Sequence, residues 1–358
     1  MPFINDFVVK EDVCNMHCKY CLTCTSEFKN NDSVNVKKKS FVYTDDSELK
    51  KNMDTVTENI FNTFHISILK ISGGEILLIK GIMDYIRKHA PKYKKVQILT
   101  NGTLLTPDIL SELKEIENIT IQISLDHHTV EGNEYRTPTP EKLQRILDNI
   151  ENIVHSGFSV EINCVLHDKN THIIHDFADY LMKFKSLVIL FPFPVRGKNQ
   201  YNFYPNANQL YGVEELIKRY TKYHDILPAK SYLEYLLRFL QIGKREIPCV
   251  LPKIAIGSFD DGNITPCPNY WFNSLGNILK EVPQTVFEKV DKDRIYNVLT
   301  HDRHRPTECS QCFTPWEILN LYAIGELSIN DLKKLPFYSF DGLEELLSVI
   351  KVKEAMPK

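Results

Sequence analysis

The sequence lacks any apolar run long enough to cross a membrane, since its longest, at 187–195, spans nine residues and a membrane helix needs about 20. The amino terminus lacks the basic segment followed by an apolar stretch that marks a signal peptide. The sequence also lacks a large excess of positive or negative charge, since 43 Lys and Arg residues and 46 Asp and Glu residues give a net charge of −3. That balance disfavours nucleic-acid partners. These absences predict a soluble, cytoplasmic protein.

Cysteine is present in an odd number, nine, so complete disulfide pairing is excluded. In a reducing compartment, clustered thiols are more often metal ligands or redox groups than structural disulfides. Four of the nine fall close together: Cys14, Cys18, Cys21 and Cys24. A structural zinc ion is one interpretation of this group. A [4Fe–4S] cluster is the other, since cysteine thiolates at close spacings hold such clusters.

Short apolar segments rich in β-branched residues alternate with amphipathic segments through the first 200 residues, which predicts parallel βαβ units. The predicted strands are 7–9, 68–74, 96–102, 119–126, 159–166 and 186–195. Thr106-Pro107 and Thr139-Pro140 each place an N-cap residue before a proline and predict helix starts. We therefore predict an α/β fold, a partial (β/α)6 TIM-like barrel with its reactive groups at the carboxyl ends of the strands.

Beyond residue 200 the alternation stops, and helical segments lead into a cysteine-bearing region. The segment "DDGN" within that region predicts a hairpin turn between two short strands. This organisation predicts that a small α+β domain follows the barrel. The predicted parts are the barrel at 1–200, a helical connector at 201–245, the α+β domain at 246–325 and a helical tail at 326–358.

The spacing Cys14-x3-Cys18-x2-Cys21 resembles the signature of the radical S-adenosylmethionine (radical SAM) enzymes. The resemblance implies that these three thiols hold one [4Fe–4S] cluster, whose open iron binds S-adenosylmethionine. It further implies that a flavodoxin- or ferredoxin-type reductant drives cleavage to a 5′-deoxyadenosyl radical, which abstracts hydrogen from the substrate. On this interpretation Cys24 is a spare thiol.

Other segments that follow predicted strands match motifs of the same family. "ISGGE" matches its GGE motif, where glycines let the backbone approach closely and a carboxylate suits the methionine ammonium. "ISLD" resembles a second motif, and strand alternation puts Ser124 and Asp126 on one polar face. The residues expected at S-adenosylmethionine are Tyr20, Gly73, Gly74, Glu75, Asn101, Ser124, Asp126, Arg136 and Asn163. For Arg136 there is an alternative interpretation, a surface charge at the entry to a helix.

Four further cysteines lie in the C-terminal region, as Cys249-x17-Cys267 and then Cys309-x2-Cys312. With Gly262 between the first two, this pattern resembles the opening of the SPASM and twitch domains of radical SAM enzymes. The further cysteines of a full SPASM domain are lacking. The resemblance implies a twitch-like domain with one auxiliary iron–sulfur cluster, of the [4Fe–4S] type, held by all four thiols. A structural zinc ion is the alternative.

The resemblance implies maturation of a ribosomally made peptide by cross-linking, oxidation or epimerisation, with docking in the barrel or through a separate peptide-recognition protein. A small aminocyclitol or sugar-like intermediate is the alternative substrate. Arg196, Asp126 and Glu161 are candidate bases at the barrel mouth, and Cys24 is a candidate hydrogen donor. Cys164 is expected to be an inert core residue. A further alternative, from a different functional class, is a non-catalytic scaffold protein with zinc bound at both cysteine groups.

Overall fold

The computed structural model describes residues 2–10, 12–21, 46–137, 139–196, 200–271, 273–290, 292–300 and 305–350. Cys24, the candidate hydrogen donor, lies outside these residues. None of the helices within these ranges has the length and apolar character that a membrane span requires.

Across the described ranges, nine strands form one sheet. They are β1 (Ile4–Val9), β2 (Ile68–Gly73), β3 (Lys95–Thr100), β4 (Ile119–Ser124), β5 (Val160–Leu166), β6 (Val188–Pro194), β7 (Ala255–Phe259), β8 (Asn263–Thr265) and β9 (Gly276–Asn277). Their order is β6-β5-β4-β3-β2-β1-β7-β8-β9. Strands β1 to β7 pair in parallel, and β8 and β9 continue antiparallel. The sheet stays open, which confirms the predicted partial barrel.

Helices connect the strands and cover the outer face of the sheet. The α-helices of the described chain are α1 (Asp46–Phe64), α2 (Ile82–His89), α3 (Pro107–Lys114), α4 (Pro140–His155), α5 (Ile174–Leu181), α6 (Gln200–Phe203), α7 (Tyr211–Lys218), α8 (Tyr220–Tyr223), α9 (Lys230–Ile242), α10 (Leu251–Ile254), α11 (Pro283–Val290), α12 (Arg294–Thr300), α13 (Thr307–Ser310), α14 (Glu317–Ala323), α15 (Ile329–Lys333) and α16 (Leu343–Leu347). The alternation of β1 to β6 with helices is the predicted one.

The helix starts that the sequence marks differ in how they are capped. Thr106 accepts a hydrogen bond from Ile109 N at 3.4 Å, as an N-cap side chain does. Thr139 also precedes its helix but makes no side-chain cap bond. Helix α4 instead relies on its apolar stripe, since Leu143, Ile146 and Ile150 are buried against the sheet and each such side chain contributes about 1.5–3 kcal/mol.

Strand β1 begins three residues earlier than the predicted 7–9, because its polar residues have partners on both sides. Asn5 Oδ1 accepts a hydrogen bond from Ser258 Oγ on β7 at 2.7 Å. Asp6 Oδ1 accepts one from Ser72 Oγ on β2 at 3.0 Å. Neighbouring strands thus supply a donor to each of two polar side chains that local sequence alone marks as unsuited to a buried strand.

Strand β7 joins the C-terminal region to the barrel sheet. It pairs in parallel with β1, from Ile4↔Ala255 to Val8↔Phe259. The predicted hairpin follows it directly, and the turn contains Gly262 with φ of +87°. A Cβ atom there would lie 2.6 Å from Asn277 Oδ1, so glycine is needed both for its backbone angle and for space. The predicted division into four parts stays a prediction. The sheet extends across the predicted boundaries, because β7, β8 and β9 of the C-terminal region belong to the same sheet as β1 to β6.

Candidate active site

The first three cysteines lie on the loop that leaves the carboxyl end of β1. Cys14, Cys18 and Cys21 are each half-buried. Met16 N donates a hydrogen bond to Cys14 Sγ at 3.4 Å, and Cys21 N donates to the Cys18 carbonyl oxygen at 3.1 Å. The second of these hydrogen bonds closes a turn that contains Cys18 and Cys21.

The charge environment of these thiols suits metal ligands. Burial raises the pKa of Cys14 and raises that of Cys18 to about 11, and the neighbouring thiols add to both shifts. The Arg136 guanidinium acts in the opposite direction on Cys18. A metal cluster would supply the positive charge that this group needs to become thiolate, with release of protons. Three half-buried thiols on one loop fit the three protein ligands of a [4Fe–4S] cluster.

The glycines of "SGGE" let the end of β2 run against this loop. A Cβ atom at Gly74 would lie 2.1 Å from the Val13 carbonyl oxygen, and one at Gly73 would lie 1.8 Å from that of Val9. Glu75 N donates to the Val13 carbonyl oxygen at 2.7 Å. Both glycines are therefore required by close backbone approach.

The buried Glu75 carboxylate ties the end of β2 to the end of β3. One of its oxygens accepts hydrogen bonds from Thr100 Oγ1 at 2.7 Å and Leu77 N at 3.1 Å, and the other accepts one from Asn101 N at 2.7 Å. Burial raises the pKa of Glu75, and these donors act against that shift. The carboxylate is thus fixed in place beside the cysteine loop.

Asn101 connects β3 to the cysteine loop itself. Its Nδ2 donates to Asn15 Oδ1 at 2.7 Å and lies 4.0 Å from Cys14 Sγ. Its Oδ1 accepts from Thr103 N at 2.9 Å. Asn15 and Thr103 were missed in the sequence, although Asn15 stands between the first two cysteines. Together they anchor the loop on which the thiols sit.

Asp126 is fully buried and collects four neighbours from distant parts of the chain. Arg136 Nε and Val165 N donate to its Oδ1 at 3.2 and 3.0 Å. Tyr20 OH donates to its Oδ2, and His167 Nε2 lies 3.5 Å from that oxygen. Burial raises the pKa of Asp126, but Arg136, His167 and Tyr20 lower it more, so the net pKa is lowered. An ionised carboxylate with both oxygens in use is a poor proton acceptor, which argues against Asp126 as the base.

Arg136 lies inside the protein and is not the surface charge of the alternative interpretation. Its side chain is 11% exposed, and its guanidinium stands over the Tyr20 ring at 5.4 Å. Cys18 Sγ lies 4.0 Å from the Arg136 carbonyl oxygen. Tyr20, Asp126 and Arg136, three residues expected at S-adenosylmethionine, therefore form one group beside the second thiol. His167, which belongs to the same group, has no motif in the sequence.

Ser124 ends β4 and is the register partner of Asn163, which lies in the middle of β5. The Asn163 Oδ1 atom is buried and has no hydrogen-bond partner in the described part of the chain. A buried amide oxygen without a partner is costly unless a ligand supplies a donor. This position therefore has the chemistry of a binding contact.

The expectation that Glu161 lies at the barrel mouth is wrong. Glu161 is the second residue of β5, and its carboxylate accepts from Gln97 Nε2 at 2.8 Å and Gln122 Nε2 at 3.2 Å. The backbone N of Phe337, in the 3₁₀ turn Pro336–Tyr338, donates to its other oxygen at 3.0 Å. The C-terminal segment thus closes over Glu161 at the amino end of the strand, a contact between residues 176 apart.

Arg196 follows β6 at the carboxyl end of the sheet, and its side chain turns toward the C-terminal region. Its Nη1 donates to Asn269 Oδ1 at 2.7 Å, and Asn269 N contacts Cys267 Sγ at 3.5 Å. The three candidate bases therefore do not share one site. Arg196 instead links the barrel to the second group of cysteines.

The other four cysteines line a single pocket. They come from four places in the chain: Cys249 before α10, Cys267 after β8, Cys309 in α13 and Cys312 after it. Nowhere in the described ranges do three His, Cys, Asp or Glu side chains stand close enough to hold one metal ion. Four thiols on one pocket are the ligand set of either a [4Fe–4S] cluster or a zinc ion.

Arg245 holds the Cys309–Cys312 half of this pocket in position. Its backbone N donates to the Ser310 carbonyl oxygen at 2.6 Å. Its guanidinium donates to the carbonyl oxygens of Cys309 and Cys312 and to Glu317 Oε2 at 2.7 Å. The side chains of Arg245 and Glu317 are only 9% and 1% exposed. The pair is therefore a buried ion pair wrapped around the CxxC segment.

Substitution of Arg245 by methionine is expected to destabilise the fold by about 3–5 kcal/mol, because it leaves the Glu317 carboxylate buried without its partner. Released from the guanidinium, the CxxC segment is expected to lose the iron of this site. Iron analysis and urea unfolding measure both effects. Arg238→Met is the matched control, since Arg238 pairs with Glu246 at the surface with its side chain 64% exposed and such pairs contribute about 0–1 kcal/mol. Equal iron content in the two variants would contradict the prediction.

Known proteins resemble this chain in sequence over part of its length. A model of the radical SAM superfamily matches residues 9–181. The antilisterial bacteriocin subtilosin biosynthesis protein AlbA of Bacillus subtilis (strain 168) is 28% identical over 170 residues, 46% of this chain and 34% of AlbA. The AdoMet-dependent heme synthase of Methanosarcina barkeri (strain Fusaro) is 30% identical over 103 residues, 29% of this chain and 30% of the synthase. The chain thus spans about a third of the length of these curated relatives.

Solved structures share the fold over nearly the whole chain. Streptococcus suis SuiB bound to precursor peptide SuiA superposes with a TM-score of 0.58 at 14% identity, over 96% of this chain and 76% of SuiB. Native anSMEcpe with bound AdoMet superposes with a TM-score of 0.57 at 17% identity, over 97% of this chain and 100% of anSMEcpe.

Residues 9–181, somewhat less than half of the chain, are similar to the radical SAM superfamily. The open parallel sheet and the thiol loop after its first strand agree with that match. The match favours an enzyme over a non-catalytic zinc scaffold.

Proposed function

We propose that this protein is a peptide-modifying radical SAM enzyme that abstracts hydrogen from a ribosomally made peptide. The observation that carries the proposal is the convergence of three groups at the carboxyl ends of β1 to β5. These groups are the thiol loop, the fixed Glu75–Asn101 contact and the buried Tyr20–Asp126–Arg136 group. AlbA is named as a bacteriocin biosynthesis protein, and SuiB has been solved with a precursor peptide bound. Both support a peptide substrate here.

In this proposal each group has a separate task. Cys14, Cys18 and Cys21 hold the [4Fe–4S] cluster, which supplies the electron for cleavage of S-adenosylmethionine to the 5′-deoxyadenosyl radical. Gly73, Gly74 and Glu75 shape the backbone at the methionine ammonium. Asn101, Ser124, Asn163, Arg136 and Tyr20 line the remaining edge, and Asn163 brings the free amide oxygen described above.

The second group of cysteines completes the proposal as the site of an auxiliary cluster. Cys249, Cys267, Cys309 and Cys312 supply four thiols to one pocket, so all its ligands would come from protein. The Arg196–Asn269 contact holds this pocket against the end of β6. An external one-electron reductant of the flavodoxin or ferredoxin type, and a separate peptide-recognition protein, belong to the same proposal.

The test is transfer of deuterium. The anaerobically reconstituted protein is mixed with S-adenosylmethionine, dithionite and deuterated precursor peptides encoded near its gene. We expect 5′-deoxyadenosine that contains deuterium from the peptide, detected by mass spectrometry. Unlabelled deoxyadenosine with every peptide, together with label from a deuterated aminocyclitol, would establish the small-molecule alternative instead.

A further inference from the structure

Lys70 is a buried, charged side chain on the inner face of the sheet. It lies in the middle of β2 and is register partner to Gln97 on β3, which itself contacts Glu161 across the sheet. Lys70 is 8% exposed. Throughout the described residues it makes no hydrogen bond and no ion pair. Burying an ammonium in this state is expensive, so the inner face has the chemistry to receive an acceptor that the described residues do not supply.

The surroundings of Lys70 stabilise its charge without bonding it. Its Nζ lies 5.0 Å from the centre of the Trp316 ring, within cation–π range. Burial lowers the pKa of Lys70, while the charges of Asp6 and Glu161 raise it and that of Arg196 lowers it further.

Neither carboxylate near Lys70 contacts its ammonium. The Glu161 oxygens accept hydrogen bonds from Gln97, Gln122 and Phe337 N, and Asp6 Oδ1 accepts from Ser72. None of the described carboxylates therefore forms an ion pair with the ammonium, which suits it to an incoming oxygen.

The position of Lys70 relates it to the active site. Gly73, at the end of β2, is three positions further along the strand, a distance of about 10 Å. A ligand on its ammonium would therefore lie deeper in the barrel than the thiol loop, with Trp316 as one wall. That is the part of a barrel where a bound substrate can reach below the edge of the sheet.

We propose that Lys70 anchors a carboxylate of the substrate inside the barrel, with Trp316 holding the ammonium in place until that carboxylate arrives. The inference rests on the proposed function, because it takes the barrel interior as the chamber for a peptide. A carboxylate is favoured over a neutral acceptor because charge-assisted hydrogen bonds are roughly twice as strong as neutral ones. The carboxylate can come from an acidic side chain or from the C-terminus of the peptide.

The test measures binding of three short probes by calorimetry, under anaerobic conditions, to the full-length cluster-loaded protein with S-adenosylmethionine. The probes are N-acetyl-Gly-Asp-Gly-amide, N-acetyl-Gly-Asn-Gly-amide and N-acetyl-Gly-Gly-Gly with a free carboxylate. We expect the native protein to bind one carboxylate probe at least about tenfold more tightly than the Asn probe. Whichever carboxylate probe binds identifies the source.

The variant Lys70→Met is expected to reduce that preference to within about twofold. Lys95→Met is the matched control, because Lys95 is an equally buried lysine on β3 that pairs with Ile68, two residues below Lys70. We expect it to keep the preference. An absent preference in the native protein, or one that persists in Lys70→Met, overturns the proposal.

Thermal unfolding gives a second, independent measurement. A buried ammonium without a bound ligand lowers the stability of the free protein. The Tm of Lys70→Met is therefore expected to equal or exceed that of the native protein. A large drop in Tm would mean that Lys70 is structural and would also overturn the inference. Deoxyadenosine is measured in the same samples. Cleavage of S-adenosylmethionine without preferential binding of a carboxylate probe would contradict only the Lys70 site. Preferential binding of a carboxylate probe without cleavage of S-adenosylmethionine would contradict only the proposed function.

Discussion

Replacement of Cys14, Cys18 and Cys21 by alanine is expected to lower the iron content of the reconstituted protein from about eight to about four per chain. The same variant is expected to form no deoxyadenosine. The physical reason is that the chain holds two separate thiol groups, one on the β1 loop and one around the C-terminal pocket. Loss of the first removes one cluster and leaves the ligands of the second untouched. Iron and sulfide analysis after anaerobic purification measures this directly.

Two controls separate this outcome from a general loss of structure. Cys164→Ala is expected to keep all the iron, because Cys164 is a buried core residue whose thiol donates to the Asp126 carbonyl oxygen at 3.1 Å. A Cys309/Cys312→Ala double variant is expected to keep about four irons, now at the first site. If the protein contained zinc and no iron after reconstitution, both cluster assignments would fail.

Asp126→Ala is expected to destabilise the protein by about 3–5 kcal/mol, because it leaves the buried Arg136 guanidinium without its counter-charge. Tyr20 OH and Val165 N lose their acceptor as well. Urea unfolding of the cluster-loaded protein gives the change. The control is Asp84→Ala, whose partner Arg87 lies 3.2 Å away at the surface, where a pair contributes about 0–1 kcal/mol. Similar losses in the two variants would contradict the central role of Asp126.

The same carboxylate gives this prediction a pH dependence. The folded-state pKa of Asp126 is lowered relative to about 3.9 for an unfolded aspartate. A lowered pKa means that the stabilising effect is complete above about pH 4 and is lost as pH falls through the folded pKa. The stability gap between native protein and Asp126→Ala is therefore expected to narrow in acid and to stay constant near neutral pH.

Local patterns in the sequence were sufficient for the strands and for both groups of thiols. Apolar segments with β-branched residues determine β2 to β6, because each pattern concerns residues within one strand. The cysteine groups are visible for the same reason, since spacing is a property of the chain itself. The hairpin at Gly262 also follows from four adjacent residues.

Contacts between distant residues were not available from the sequence. The buried group around Asp126 joins Tyr20, Arg136 and His167 across 106, 10 and 41 residues, and only the folded sheet brings them together. Glu161 was misplaced because the segment that covers it lies 176 residues further along. The hydrogen bond between Arg196 and Asn269 joins residues 73 positions apart, so the sequence could not place the Arg196 side chain.

The pairing of β7 with β1 limits how this protein can be divided or recombined. The strand that leads into the first thiol loop has β2 on one side and β7, more than 245 residues later, on the other. A fragment cut after β6 would expose β1 as a free edge with the five register pairs to β7 lost, and such edges promote aggregation. The region that matches the radical SAM superfamily, residues 9–181, therefore cannot be joined alone to another C-terminal region. Any chimera has to include both β1 and β7.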